Sequence, residues 1–108
     1  MEKDIFQRII DREIPSTIIY EDDKAIAIVD IHPVNKGHFL VIPKNYSENL
    51  FDIEDEDLTY LIVLAKNLAI EQVEKLNAKG FKLTINNGET AGQVIFRTHI
   101  HIIPYYED

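Results

Sequence analysis

Arg97-Thr98-His99-Ile100-His101-Ile102-Ile103-Pro104, close to the C-terminus, carries the pattern around which the rest of the chain organises itself. Strand side chains alternate between faces, so a strand over 95–104 puts Arg97, His99 and His101 on one side and Thr98, Ile100 and Ile102 on the other. One face is apolar and seeks a core. The other sets three nitrogen-rich groups in a row, a cluster suited to attacking or clamping an anion.

Upstream, Asn87-Gly88-Glu89-Thr90-Ala91-Gly92 reads as a loop with two glycines, and 81–87 as the strand before it. Between about Asp55 and Lys79 the period changes to helical: Leu58, Leu61, Ile62, Ala65, Ala69, Val73 and Leu76 form one stripe, with Gly80 as the expected stop. Six acids between Glu48 and Asp57 suit a helix N-terminus, and otherwise read as a solvated face. Val63 and Ile70 lie off the stripe, as do Leu64 and Leu68, so this helix is expected to have a second burial partner, most simply another copy of the chain. Nearer the N-terminus, Thr17 to Tyr20, Lys24 to Asp30 and Gly37 to Pro43 are β-branched runs that read as an antiparallel meander, preceded by a short helix over 4–11. The order β-β-β-α-β-β predicts an α+β fold: a five-stranded antiparallel sheet with a short N-terminal helix and one long central helix.

Composition bounds the function. At 108 residues the chain is read as a single domain, 1–108, and 45% hydrophobic content argues against disorder. The net charge of −8 works against docking on a nucleic-acid backbone or an anionic membrane. The absence of cysteine excludes disulfides, thiolate catalysis and cysteine-ligated metals. No run approaches the roughly 18 apolar residues of a membrane span, and Met1-Glu-Lys-Asp lacks the basic start of a secretory signal. A soluble cytoplasmic protein is the expectation.

The stretch Gly92-Gln93-Val94-Ile95-Phe96-Arg97-Thr98-His99-Ile100-His101-Ile102-Ile103-Pro104 resembles the signature of the histidine triad (HIT) family of nucleotide hydrolases and transferases, His-x-His-x-His followed by two apolar residues. It departs from that signature at the first histidine, where Arg97 stands. Ile5-Phe6, Ile14-Pro15, Tyr20-Glu21-Asp22, Asp30-Ile31, Gly37 to Lys44 and Asn86-Asn87-Gly88 are similar to family landmarks in family order, so the resemblance spans nearly the whole chain.

The resemblance implies cleavage of a nucleotide α-phosphate bond, in a nucleoside phosphoramidate or a dinucleoside polyphosphate. His99 matches the nucleophile that forms a nucleotidyl-histidine intermediate, His101 the histidine that contacts phosphate or leaving group, and His38 a partner in the same hydrogen-bond network. Gln93 and Asn86 match residues that hold phosphate oxygens, assisted by the amides around Val94. Asp30 matches the carboxylate that binds ribose hydroxyls, and Ile5, Phe6, Ile9, Ile28 and Ile31 match the walls of the base pocket. A purine mononucleotide or nucleotide conjugate is the implied ligand and a homodimer the implied assembly, with no cofactor. Elementary chemistry asks for the same residue types. A neutral imidazole attacks phosphorus without bringing negative charge to an anion, and a carboxylate accepts from two hydroxyls at once.

Competing readings stand beside these. Asp30 could end a strand in an Asp-turn, Asn86-Asn87-Gly88 could be turn chemistry alone, and the apolar residues of the first helix could be core. Arg97 stays charged and cannot shuttle a proton, which makes an attenuated or inactive nucleotide-binding protein the alternative. Its charge is expected on the catalytic face, where it would lower the pKa of His99 or clamp a phosphate. A metal site built from His38, His99 and His101 is a third reading. Many relatives hold zinc with a Cys-x-x-Cys pair, but Asp4-Ile5-Phe6-Gln7 occupies that stretch here, so no metal is expected there.

Overall fold

The structure, a computed structural model, describes residues 2–107. Its elements run α1 (Ile5–Ile10), β1 (Ile18–Glu21), β2 (Ala25–Val29), β3 (Phe39–Pro43), α2 (Asp55–Leu76), β4 (Gly80–Thr84) and β5 (Ile100–Tyr105), with a 3₁₀ turn at Glu89–Ala91. The five strands form one antiparallel sheet in the order β1-β2-β3-β5-β4, so β5 slots between the meander and β4. This is the expected α+β arrangement.

The period of two divides the sheet into two faces. Ala25, Ala27, Phe39, Val41, Ile100 and Ile102 bury themselves against Leu61, Ala65, Leu68 and Ala69 of α2. Leu68 therefore belongs to the core face of the helix, although the sequence stripe left it off. On the opposite face, Ile26, Ile28, Leu40 and Ile42 receive Phe6 and Ile9 of α1. Burying those two side chains is worth about 1.5–3 kcal/mol each, which a six-residue helix needs because its own hydrogen bonds cannot sustain it. Asp4 caps α1, accepting from the Gln7 N–H at 2.8 Å.

Two boundaries differ from expectation. Helix α2 ends at Leu76, not Lys79: Asn77 adopts the left-handed conformation (φ 60°), and the Ala78 N–H closes on Val73 O at 2.9 Å. Gly80, read as the stop, instead opens β4. Strand β5 begins at Ile100, later than the expected 95. The register pairs Phe39 with Ile102 and Val41 with Ile100, and its continuation would set Thr98 opposite Pro43, which has no N–H to give. The Thr98 N–H turns to Ser47 O instead, at 2.8 Å.

Candidate active site

Periodicity brings the polar residues together. Asp30 continues the Ile26–Ile28 row of β2, His38 precedes Leu40 and Ile42 on β3, and His99, just before β5, shares a parity with His101 within it. All four lie on the face covered by α1, where a cavity of about 590 Å³ opens between the helix and the sheet. Ile5, Phe6, Ile9, Ile28 and Leu40 line it from within, Asp30, Ile31, Asn86 and Val94 stand at its polar and outer side, and His99 and His101 form its floor. Ile31 and Val94 are mostly exposed and contribute as rim. Sequence reasoning missed Leu40, Ile14 and Ile95 as liners; the shared parity of Leu40 with His38 was the available signal.

The ring hydrogens follow from the partners. A backbone carbonyl only accepts, so the 2.7 Å contact of His99 Nδ1 with Arg97 O puts the hydrogen on Nδ1 and leaves Nε2 as a lone pair. At His38 the Val34 N–H donates to Nδ1 at 3.0 Å, so Nε2 carries the hydrogen and gives it to His101 Nδ1, also at 3.0 Å. His101 must then carry its own hydrogen on Nε2. The pair on the floor thus presents one acceptor, His99 Nε2, beside one donor, His101 Nε2–H, with ring centroids 4.9 Å apart. Phe6 packs edge-on against His99 at 5.0 Å.

Burial keeps all three rings neutral. It lowers the pKa of His99, opposed by the Arg97 carbonyl and by Asp30, and it lowers that of His38, opposed by Asp30. His101 is pushed down to about 4, by burial first and then by the two neighbouring histidines.

Asp30 divides its carboxylate: Oδ1 accepts from the His32 N–H at 2.8 Å, the Asp-turn, while Oδ2 lies 3.4 Å from His38 Nε2 and borders the cavity. Ligand atoms of Asp30, His38 and His101 come within 4.8 Å of one another. Nε2 of His38 is occupied by a hydrogen that Val34 holds in place, so these groups are built as a hydrogen-bond relay and not as the metal site of the third reading. His99 does not belong to that group.

Two expectations are corrected. The Gln93 amide does not reach the cavity. It is buried, and Nε2 donates to Glu48 O and Ile95 O while Oε1 accepts from Asn49 Nδ2 and the Gly88 N–H. Gln93 therefore anchors the loop, whose turns rest on Gly88 and Gly92 at φ 96° and 92°. The Val94 N–H, by contrast, meets no acceptor among the described residues and stands at the rim. The second correction is Arg97. Its guanidinium does not join the histidines; it turns under α1, 1% exposed, and bonds Gln7, Asp4 and the carbonyls of Pro43 and Lys44. The lowered pKa of His99 comes from burial, not from this charge.

The family model "HIT domain" matches residues 11–108. The chain belongs to the HIT family. A HIT-like protein from Mesomycoplasma hyorhinis is 59% identical over 106 residues, covering 98% of this chain and 96% of that one. Among solved structures, a hypothetical histidine triad nucleotide-binding protein from Sulfolobus tokodaii superposes with a TM-score of 0.93 at 42% identity, covering 95% of this chain and 69% of that one. A HIT family hydrolase from Clostridium thermocellum gives 0.86 at 39%, covering 99% and 94%. A zinc-bound histidine triad family protein from Mycobacterium smegmatis gives 0.93 at 33%, covering 97% and 76%. The fold is thus that of the family, and no described helix is long and apolar enough to cross a membrane.

Proposed function

We propose that this HIT protein cleaves nucleotide α-phosphate bonds, with His99 as the nucleophile. The observation that carries the reading is the free Nε2 lone pair of His99, fixed by Arg97 O on the floor of an apolar cavity with the His101 Nε2–H beside it. The base lies among Ile5, Phe6, Ile9 and Ile28, and the ribose hydroxyls donate to Asp30. The Asn86 side chain and the Val94 N–H reach phosphate oxygens. Nε2 attacks the α-phosphorus, the bond to the leaving group breaks, and the positive charge left on the His99 ring is stabilised through Nδ1–H by the Arg97 carbonyl. Water then attacks phosphorus, the P–N bond breaks, and the mononucleotide leaves.

Nucleoside phosphoramidates and nucleotidyl conjugates are the substrate class ahead of dinucleoside polyphosphates. Release of AMP from an adenosine phosphoramidate tests this. Tight AMP binding with no release would favour the alternative, a nucleotide-binding protein without turnover. Val63 and Ile70 are about half exposed on α2, on the side away from the sheet, which supports self-association through that helix. Light scattering that finds only monomer at micromolar concentration would remove that part of the reading.

A further inference from the structure

Arg97 is among the largest fully buried side chains and carries a full charge that the chemistry of His99 does not use. Its Nη1 reaches Gln7 Oε1 at 2.7 Å and Asp4 Oδ2 at 3.4 Å; its Nη2 reaches Pro43 O and Lys44 O, both at 2.9 Å. The Tyr46 ring lies 5.7 Å from the guanidinium carbon. One cation thus gathers two side chains of the α1 turn and two carbonyls at the end of β3.

The identity of those positions matters. By the family resemblance, Asp4 and Gln7 correspond to the cysteine pair of zinc-binding relatives, and Arg97 to the first triad histidine, itself a metal-ligand type. The structure brings these three positions together. A guanidinium offers no lone pair and supplies its own positive charge, so the residues present do not fit a metal; the cation is already there, attached to the chain.

We infer that Arg97 is a positioning residue whose guanidinium replaces a structural metal, bolting α1 to the sheet while its own carbonyl holds the His99 ring. The two halves of one residue act on the same histidine. The carbonyl fixes the Nδ1–H tautomer, and the guanidinium fixes α1, whose Phe6 packs edge-on against the same ring. Helix α1 has six residues and is too short to stay in place unaided. A metal-ligated site would answer to metal supply and thiol oxidation. This one answers to neither.

The inference rests on His99 being the reacting group only for its kinetic arm; the other arms need no turnover. Chelator should leave the melting temperature of the wild type unchanged, and a fall of several degrees would overturn the replacement of a metal. In Arg97→Lys, which keeps the charge but loses the fork, ¹⁵N spectra of the His99 ring should pass from a single Nδ1–H tautomer to a mixture. The kcat should fall about 10- to 100-fold, more than nucleotide affinity does. A lower melting temperature with the tautomer and kcat of the wild type would make Arg97 structural only and overturn the positioning role. Should Arg97→Lys fail to fold, Asp4→Asn, which keeps the cap and weakens the ion pair, supplies the same comparison with smaller shifts in the same direction. If the wild type shows no turnover, the proposed function fails while the spectra still decide this inference.

Discussion

His99 Nδ1 and the carbonyl oxygen of Arg97, two residues earlier, are 2.7 Å apart. The group that orients the ring is therefore backbone, so the tautomer of His99, the proposed nucleophile, survives exchange of the side chain at 97 provided the chain path there is held. That is why an arginine in place of the first triad histidine is compatible with a reactive His99.

Arg97→His, which recreates the family signature, is accordingly expected not to raise turnover. The imidazole is too short to reach Gln7, Pro43 and Lys44, and leaves the buried Pro43 carbonyl and the half-buried Lys44 carbonyl without this donor. The loss should be about 2–4 kcal/mol, read as a fall in melting temperature of about 10 °C or more. A tenfold gain in kcat with an unchanged melting temperature would show that position 97 is a broken proton relay after all.

His38 sets the tautomer of His101 through a single 3.0 Å bond. In His38→Phe the Nδ1 of His101 loses its donor, and the hydrogen on Nε2 is no longer assured. The kcat should drop about 10²-fold while AMP affinity changes little, because His38 is buried behind His101. Equal losses in kcat and affinity would assign His38 to binding.

Acid should weaken the fold before it touches the chemistry. The three site histidines have lowered pKa values in the folded chain, His101 down to about 4, against about 6.5 when unfolded. In that window the unfolded chain binds more protons, so stability is full above about pH 6.5 and declines as pH falls toward 4. The urea midpoint should be lower at pH 5 than at pH 7, whereas kcat should persist below pH 6.5 because His99 stays neutral there. A kcat that halves at pH 6.5 would mean an ordinary, solvated nucleophile.

Asp30→Ala removes the carboxylate from the cavity rim. A ribose contact predicts a loss of about 1–3 kcal/mol in AMP affinity, since two hydroxyls lose their acceptor. The Asp-turn to His32 is exposed and its loss should matter little to folding. Unchanged AMP affinity would leave Asp30 as a turn residue only.

Much of this was legible in the sequence because it depends on period. Alternation put His99 and His101 on one face, and the helical stripe gave α2. Arg97 was misplaced because alternation assumes an unbroken strand, and the strand starts only at Ile100, past the position where Pro43 cannot donate. Gln93 was misassigned because an amide beside a glycine loop reads the same whether it faces a ligand or the backbone. Its four partners come from residues 48, 49, 88 and 95, which no local pattern connects. The contact of Arg97 with Asp4 and Gln7 joins opposite ends of the chain, and only complementary charge hinted at it.

The central claim is a covalent bond to one nitrogen. Intact-mass and peptide mass spectrometry of the wild type and of His99→Ala, quenched during incubation with an adenosine phosphoramidate, measures it directly. The account predicts an adenylyl adduct on the peptide carrying His99, absent from His99→Ala, whose turnover falls at least about 10³-fold while AMP affinity is retained. Turnover in His99→Ala equal to that of the wild type, or an adduct on His101 instead, would contradict it.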